Sequence, residues 1–252
     1  MKNKVKYIIE FFNDDTMYYA ASLSFFTIFS LLPILALLIA VMSTTGYFET
    51  QISTLLNYLY DFINPTHSVQ VVNTIQNALE NINSLGNIGL IYLLFIFTMF
   101  FKDYEYIMSK IHKTKKRNFF IMFFFYLSFL ILIPLALFVA TFIISYFKQS
   151  IFLNLINFLL AILVVTFLFK ISVNKHISFK ASLIASFITV CALKLTQALF
   201  VYYIAYNTTY TTIYGTLSAM LFVFLWIYLS WIIYLYGVKI SHRLNIGTKF
   251  DK

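Results

Sequence analysis

Apolar residues occur along this chain in six long blocks separated by polar segments. Most of these blocks approach or exceed the roughly 20 residues that an α-helix needs to cross about 30 Å of hydrocarbon. A helix satisfies its backbone hydrogen bonds within one segment, as lipid requires. The pattern therefore predicts an all-α polytopic membrane protein, a single helical domain with six transmembrane helices. The predicted spans are residues 17–42, 87–101, 119–147, 151–169, 179–203 and 215–240.

The long connection between the first two spans has a different pattern. Apolar residues recur at helical spacing in residues 50–63 and again in residues 67–83, with polar residues between them. Asn64 and Pro65 separate the two stretches, and proline ends a helix because it has no N–H to donate. We therefore expect two amphipathic helices here. The connection contains no Lys or Arg, which favours packing of the apolar stripes on the bundle over binding at the bilayer interface.

Basic residues alternate between the exposed segments. They occur before the first span, in the second and fourth connections and after the last span, whereas the first and fifth connections have none and the third has only Lys148. Cationic segments resist translocation, so both termini are predicted to be cytoplasmic and the first long loop periplasmic. The first apolar block is too long for a signal peptide and has no small-residue cleavage site. The expected location is the bacterial inner membrane.

Composition agrees with this assignment. Hydrophobic residues make up 61% of the chain and charged residues only 11%, against about 25% charged in soluble domains. A net charge of +9 would suggest nucleic acid in a soluble protein, but topology explains cations beside spans first. The expected partners are membrane lipids, with a homo-oligomer left open and no nucleic acid. Cys191, the single cysteine, is interpreted as a small buried side chain.

A lysine near the middle of the fifth span is the main candidate for chemistry. A central lysine costs roughly 2.5–3.5 kcal/mol on insertion scales, so it must face a partner or a watery cavity. Small polar residues follow the same helix and one side of the first span. They could hold helices together by hydrogen bonds or line a site for an anion or lipid head group. The candidate substrate-binding residues are Lys194, Gln197, Ser186, Thr189, Ser24, Thr27 and Ser30.

Enzyme signatures are missing from the sequence. The four histidines are scattered through loops and the tail without metal-ligand spacing. All nine acidic residues lie outside the six predicted spans, which leaves no carboxylate there for a proton relay. Asp103 and Glu105 lie among lysines and are interpreted as solvated ion pairs. We predict no catalytic residue, no metal and no cofactor.

Two segments carry a family resemblance: YYAASLSFFTIFSLLPILALLIAV at residues 18–41 and IYGTLSAMLFVFLWIYLSWIIYLYGVKIS at residues 213–241. They resemble the opening and closing helices of the YihY/BrkB family of inner-membrane proteins. The order of spans, the long first loop and the basic second loop extend the resemblance over nearly the whole chain. That family has been labelled ribonuclease BN and has also been tied to serum resistance and to transport or lipid export. The resemblance implies handling of envelope material.

Three functions follow from these observations. The leading hypothesis is a transporter or flippase-like protein for a lipid or other amphiphilic anion. The second is an envelope scaffold or assembly protein, in which the small-residue faces serve helix association. The third, a membrane-associated ribonuclease, is disfavoured because the chain has no metal-binding or acid–base constellation for phosphodiester cleavage.

Overall fold

The computed structural model describes residues 15–43, 49–65, 68–82, 86–129, 150–207 and 217–250, together with 131–133, 135, 136, 139, 212 and 214. Over these residues the chain is helical and contains no strand. The helices are α1 (Thr16–Ser43), α2 (Glu49–Ile63), α3 (Val69–Ile82), α4 (Gly86–His112), α5 (Phe119–Leu127), α6 (Ser150–Ile171), α7 (Phe179–Tyr206) and α8 (Leu217–Phe250).

The last helix is the centre of the bundle. Helix α8 packs against α7 on one side and α1 on the other, and it also contacts α4. Helix α6 packs on α7, and α4 packs on α1 and α5. Leu235 and Val238 of α8 are fully buried, as are Leu23 of α1 and Met108 of α4. The largest apolar core therefore surrounds one half of α8.

Two described helices are long and apolar enough to cross a membrane, Phe179–Tyr206 and Leu217–Ile246. A third candidate is α1, whose parts Thr16–Leu31 and Pro33–Ile39 meet at 45°. Pro33 explains the bend, because a proline inside a helix removes a backbone hydrogen bond and clashes with the preceding turn. Parts of the predicted spans 119–147 and 215–240, and both ends of the predicted helix 67–83, lie outside the described residues.

Helices α2 and α3 follow one another across a short turn, and both pack on α1 and α8 at one end of the bundle; we call them the hairpin. Ile63, Val71 and Ile75 are buried in a cluster with Val223 and Ile227 of α8. The prediction that the amphipathic stripes pack on the bundle is therefore confirmed.

The turn of this hairpin is held by one side chain. Asn64 Nδ2 donates to the Ser68 carbonyl at 2.8 Å, and Asn64 Oδ1 accepts from the Ser68 N–H at 3.0 Å. Trp226 Nε1 of α8 donates to the Phe62 carbonyl at 2.5 Å. The predicted break at Asn64 and Pro65 is confirmed, and the last carbonyls of α2 find partners outside the helix.

At the opposite end, helix α4 stops in a tight turn. Lys113 has φ of 51°, in the left-handed region that commonly ends a helix. The Thr114 N–H donates to the Ser109 carbonyl at 2.9 Å. The turn reverses the chain, so that Arg117 comes back beside Glu105 on α4.

Candidate functional site

The polar residues predicted on α1 donate hydrogen bonds mainly to backbone carbonyls of the same helix. Ser24 donates to the Ala21 carbonyl at 2.9 Å, Thr27 to the Leu23 carbonyl at 2.7 Å and Ser30 to the Thr27 carbonyl at 3.4 Å. Thr27 Oγ1 also accepts from Trp231 Nε1 at 2.8 Å. Ser24 and Ser30 are buried. These contacts correspond to the helix-joining interpretation.

Ser186 and Thr189 lie in the seam between α6, α7 and α8. Both are fully buried, and the Ser186 hydroxyl shares a 2.5 Å hydrogen bond with Thr166 of α6. Thr189 donates to the Ala185 carbonyl at 2.7 Å. A methyl group on Gly237 of α8 would overlap the Thr189 hydroxyl, so α7 and α8 are in direct contact here.

Lys194 and Gln197 do not join that buried face. Lys194 is exposed on the outside of α7 and Gln197 is half-buried. Cys191 is also exposed, so its interpretation as a buried side chain is wrong. The exposed surface of α7 around Lys194 is otherwise apolar, with Phe187 and Leu195 exposed nearby in sequence.

A buried ion pair stands at the end of α4. Glu105 is only 3% exposed, and its Oε2 accepts from Arg117 Nη1 at 2.8 Å and from the Tyr126 hydroxyl at 2.8 Å. Arg117 Nη2 donates to the Ile171 carbonyl at 2.6 Å. Glu105 forms an ion pair, as expected from the sequence, but the pair is buried, so its interpretation as solvated is wrong. We call Glu105, Arg117 and Tyr126 the Glu105 cluster; it ties α4 to α5 and to the end of α6.

Asp103 differs from Glu105. It is partly exposed, and its Oδ2 accepts from the Ser22 hydroxyl of α1 at 2.8 Å. This bond links α1 and α4.

A chain of hydroxyl groups runs from α4 to α8. The Tyr104 hydroxyl hydrogen-bonds to Ser172 at 2.6 Å and to the Tyr234 hydroxyl at 2.7 Å. Ser172 in turn donates to the Leu168 carbonyl. Burying hydroxyls is costly unless they are paired, so the chain fixes α4, α8 and the end of α6 in one arrangement.

A basic pocket of about 450 Å³ opens where α1 begins and where α4 and α8 approach their ends. Four cations and one carboxylate are among the residues that line it. This imbalance makes the pocket electropositive. Its lining is Asp15, Tyr19, Lys110, Ile111, Lys113, Lys239, His242, Arg243 and Ile246.

The cations of the basic pocket differ in burial. Lys239 is 9% exposed; its Nζ donates to Thr16 Oγ1 at 3.3 Å and lies 4.9 Å from the centre of the Tyr236 ring. Lys110, Lys113 and Arg243 are exposed. The pocket therefore has one fixed cation in its wall and three that reach solvent.

Two histidines meet beside the basic pocket. The rings of His112 and His242 are 4.8 Å apart at 76°. Burial, together with weaker charge repulsion from His242 and Lys175, lowers the pKa of His112 from 6.5 to about 3. Neither ring nitrogen of His112 has a hydrogen-bond partner among the described residues. His112 is therefore neutral at physiological pH.

The burial of Glu105 could have been predicted from the helical periodicity of α4, although the distribution of charges did not indicate it. The buried stripe of α4 passes through Phe97, Tyr104, Met108 and His112 at helical spacing. Glu105 is next to Tyr104 on this side of the helix and is buried with it. The cations of the basic pocket were counted only as a topology signal. Over the described residues, no group of three or more His, Cys, Asp or Glu is arranged to hold a metal.

The helical bundle, its candidate spans and its apolar outer surface define an integral membrane protein. The chain belongs to the Virulence factor BrkB family, whose sequence profile matches residues 8–249. The predicted resemblance to the YihY/BrkB family is thus confirmed.

The chain is similar to membrane proteins of two bacteria. It is 26% identical over 251 residues to a UPF0761 membrane protein of Pseudoalteromonas translucida, covering 94% of this chain and 84% of that one. It is 24% identical over 255 residues to a UPF0761 membrane protein of Legionella pneumophila, covering 96% of this chain but only 62% of that one. No solved structure matches this chain.

Proposed function

We propose that this protein is a transporter or flippase-like protein that binds and moves a lipid or other amphiphilic anion in the bacterial inner membrane. The observation that carries the proposal is the basic pocket at one end of an apolar helical bundle. An amphiphilic anion needs a positive site for its head group and an apolar surface for its chains. The bundle offers both, because its outer surface exposes many large apolar side chains.

The proposal includes six membrane spans and two cytoplasmic termini. It is supported by the helix ends that meet at the basic pocket and at the Glu105 cluster. The start of α1 and the ends of α4 and α8 lie at the pocket, and Arg117 joins the start of α5 to the end of α6. These segments carry the cations that the positive-inside rule keeps in the cytoplasm. The hairpin of α2 and α3 would then lie in the periplasm.

Labelling of single cysteines tests this topology. In a Cys191→Ser background, we expect Lys115→Cys to react with an impermeant maleimide only after cells are opened. Asn57→Cys on the exposed side of α2 should react in intact spheroplasts. Reaction of Lys115→Cys from outside would refute the proposed orientation.

Lys194 keeps a role in the proposal as an exposed cation halfway along α7. A lysine surrounded by apolar surface is expensive in hydrocarbon unless it meets an anion or water. A head group moving along α7 would supply that anion. Gln197 lies about one turn further along the helix, whereas Ser186, Thr189, Ser24, Thr27 and Ser30 would act by holding the helices beside this path.

Reconstitution tests the transport proposal. We expect vesicles containing the protein to equilibrate a fluorescent anionic phospholipid between leaflets faster than empty vesicles, measured by dithionite quenching. Lys194→Met should slow the exchange several-fold, whereas Lys180→Gln, which changes an exposed lysine near the start of α7, should not. Wild-type vesicles that match empty ones would overturn the proposal.

The proposal gives the protein no catalytic role. Purified protein incubated with RNA and divalent metal ions should leave the RNA intact. Cleavage by the wild type that is lost in Asp103→Asn would favour the ribonuclease instead.

A further inference from the structure

The basic pocket gathers its cations from two distant parts of the chain. Lys110 and Lys113 come from the end of α4, and Lys239 and Arg243 come from α8. Lys239 and Arg243 are four residues apart, so they lie on one face of α8, where like charges repel. Asp15 is the one carboxylate among the described residues that line the pocket. An anion held between the two segments would be attracted by cations of both.

Membrane topology alone does not account for this arrangement. The positive-inside rule requires cations in cytoplasmic segments, and exposed residues such as Lys115 and Lys180 meet it from the protein surface. It does not require four cations to converge on a cavity, nor a lysine such as Lys239 to be buried in the cavity wall. The convergence of cations on a cavity is what a binding site for an anion requires.

We infer that the basic pocket is a phosphate-binding site for the head group of an anionic lipid. The inference rests on the proposed function, and it names the chemical group that the protein recognises. Arg243 can donate two parallel hydrogen bonds to phosphate oxygens, and lysines act as point charges around them. A phosphate monoester carries up to two negative charges. It therefore suits a lining whose described residues include four cations and one carboxylate better than a single carboxylate ligand does.

The size and lining of the pocket fit a head group larger than phosphate itself. A volume of about 450 Å³ falls within the range of ligand sites, roughly 300–1,000 Å³. Ile111 and Ile246 add apolar wall, which would contact the glycerol and first acyl carbons. Basic pockets between transmembrane helices on the cytoplasmic side are known to suit anionic lipid head groups.

Binding to the purified full-length protein in neutral detergent tests the inference. The probes are short-chain phosphatidic acid, phosphatidylcholine of the same chain length, and inorganic phosphate, with affinity measured by thermophoresis. The pocket variant is Lys113→Asn with Arg243→Gln; asparagine tolerates the left-handed backbone of Lys113. The matched control, Lys115→Gln with Lys180→Gln, removes two exposed cations that do not line the pocket.

The wild type should bind phosphatidic acid at least about tenfold more tightly than phosphatidylcholine. The pocket variant should lose about tenfold or more in affinity for phosphatidic acid, and the control variant less than about twofold; charge-assisted hydrogen bonds of roughly 1.5–3 kcal/mol set this scale. Should inorganic phosphate bind as tightly as phosphatidic acid and respond equally to the pocket variant, the site is a phosphate site whose ligand is soluble, and the lipid assignment is overturned.

Equal losses in the pocket and control variants would overturn the inference, since they would trace binding to overall surface charge. Lys110→Gln provides a second pocket variant should the double variant aggregate. Failure of this inference is distinguishable from failure of the proposed function. If wild-type vesicles move lipid but no phosphate compound binds the pocket, only the assignment of the binding site is overturned. Binding without lipid movement would sink only the transporter.

Discussion

The two ends of the bundle are built in different ways. At one end, charged and hydroxyl side chains are buried in pairs, and a basic pocket opens between α1, α4 and α8. At the other end, the hairpin of α2 and α3 covers the bundle with apolar side chains. Two polar contacts at its turn, from Asn64 and from Trp226, are to backbone carbonyls.

This contrast separates two ways of closing a helix bundle. An apolar cover tolerates substitutions of similar size, because the free energy of burial scales with the apolar area and not with the position of single atoms. A buried ion pair does not tolerate loss of one partner, because the other charge is then left unpaired in the protein interior. The basic end should therefore respond sharply to changes of single polar atoms, and the hairpin end to loss of apolar volume.

The largest effect is expected for Glu105→Gln. This change keeps the shape of the side chain but leaves Arg117 buried without its counter-charge, which should lower the free energy of unfolding by about 3 kcal/mol. Tryptophan fluorescence during heating of the detergent-solubilised protein measures it. Asp103→Asn is the control: Asp103 is partly exposed, so its loss should stay below about 1 kcal/mol. Equal losses of stability in the two variants would contradict the expectation that the buried carboxylate contributes more than the partly exposed one.

A smaller effect is expected at the hairpin end for Ile75→Ala. Deleting this buried side chain should cost about 2 kcal/mol, at the low end of the range for isoleucine in a core, since the hairpin can partly close over the gap. Hydrogen exchange should accelerate in α2 and α3 and remain unchanged in α4. Val69→Ala on the same helix is the control, because Val69 is 69% exposed. Faster exchange throughout the bundle would show that the two ends do not behave as separate regions.

The smallest effect is a change in pH dependence at the basic end. The folded-state pKa of His112, about 3, is below its ordinary value of 6.5. The unfolded chain therefore takes up a proton between these values that the folded chain does not, and stability falls as the pH drops below 6.5. His112→Asn should lose less thermal stability than the wild type between about pH 7 and about pH 5. Parallel losses in both proteins would refute the neutral, buried state of His112.

Local patterns in the sequence predicted the helices better than the site. The apolar stripes and the break at Asn64 and Pro65 were visible because helical spacing and proline act within a few residues. Helix α4 continues to His112, past the predicted span end at Phe101. The charges after Phe101 suggested a loop, but Asp103 and Glu105 are held in the helix by partners on other elements.

The site was harder to predict because its members are distant in sequence. Lys194 stood out as a charge inside an apolar block, whereas nothing local marked Glu105 for burial. Its pairing with Arg117 depends on the reversal of the chain at Lys113. The basic pocket forms because α4 and α8 approach one another. Lys110 and Arg243, which are distant in sequence, therefore line the same cavity.

The contact at Gly237 closes one route through the bundle. Since even a methyl group on Gly237 would overlap Thr189 and lie 2.9 Å from Phe169 Cζ, the interface between α7 and α8 is closed to an acyl chain at this level. Under the proposed function, a lipid that enters at the basic pocket would leave that seam untouched. It would travel either between α8 and its neighbours α1 and α4 or over the outer face of the protein. Crosslinks that fix α7 to α8 near Gly237 should accordingly be harmless to lipid movement.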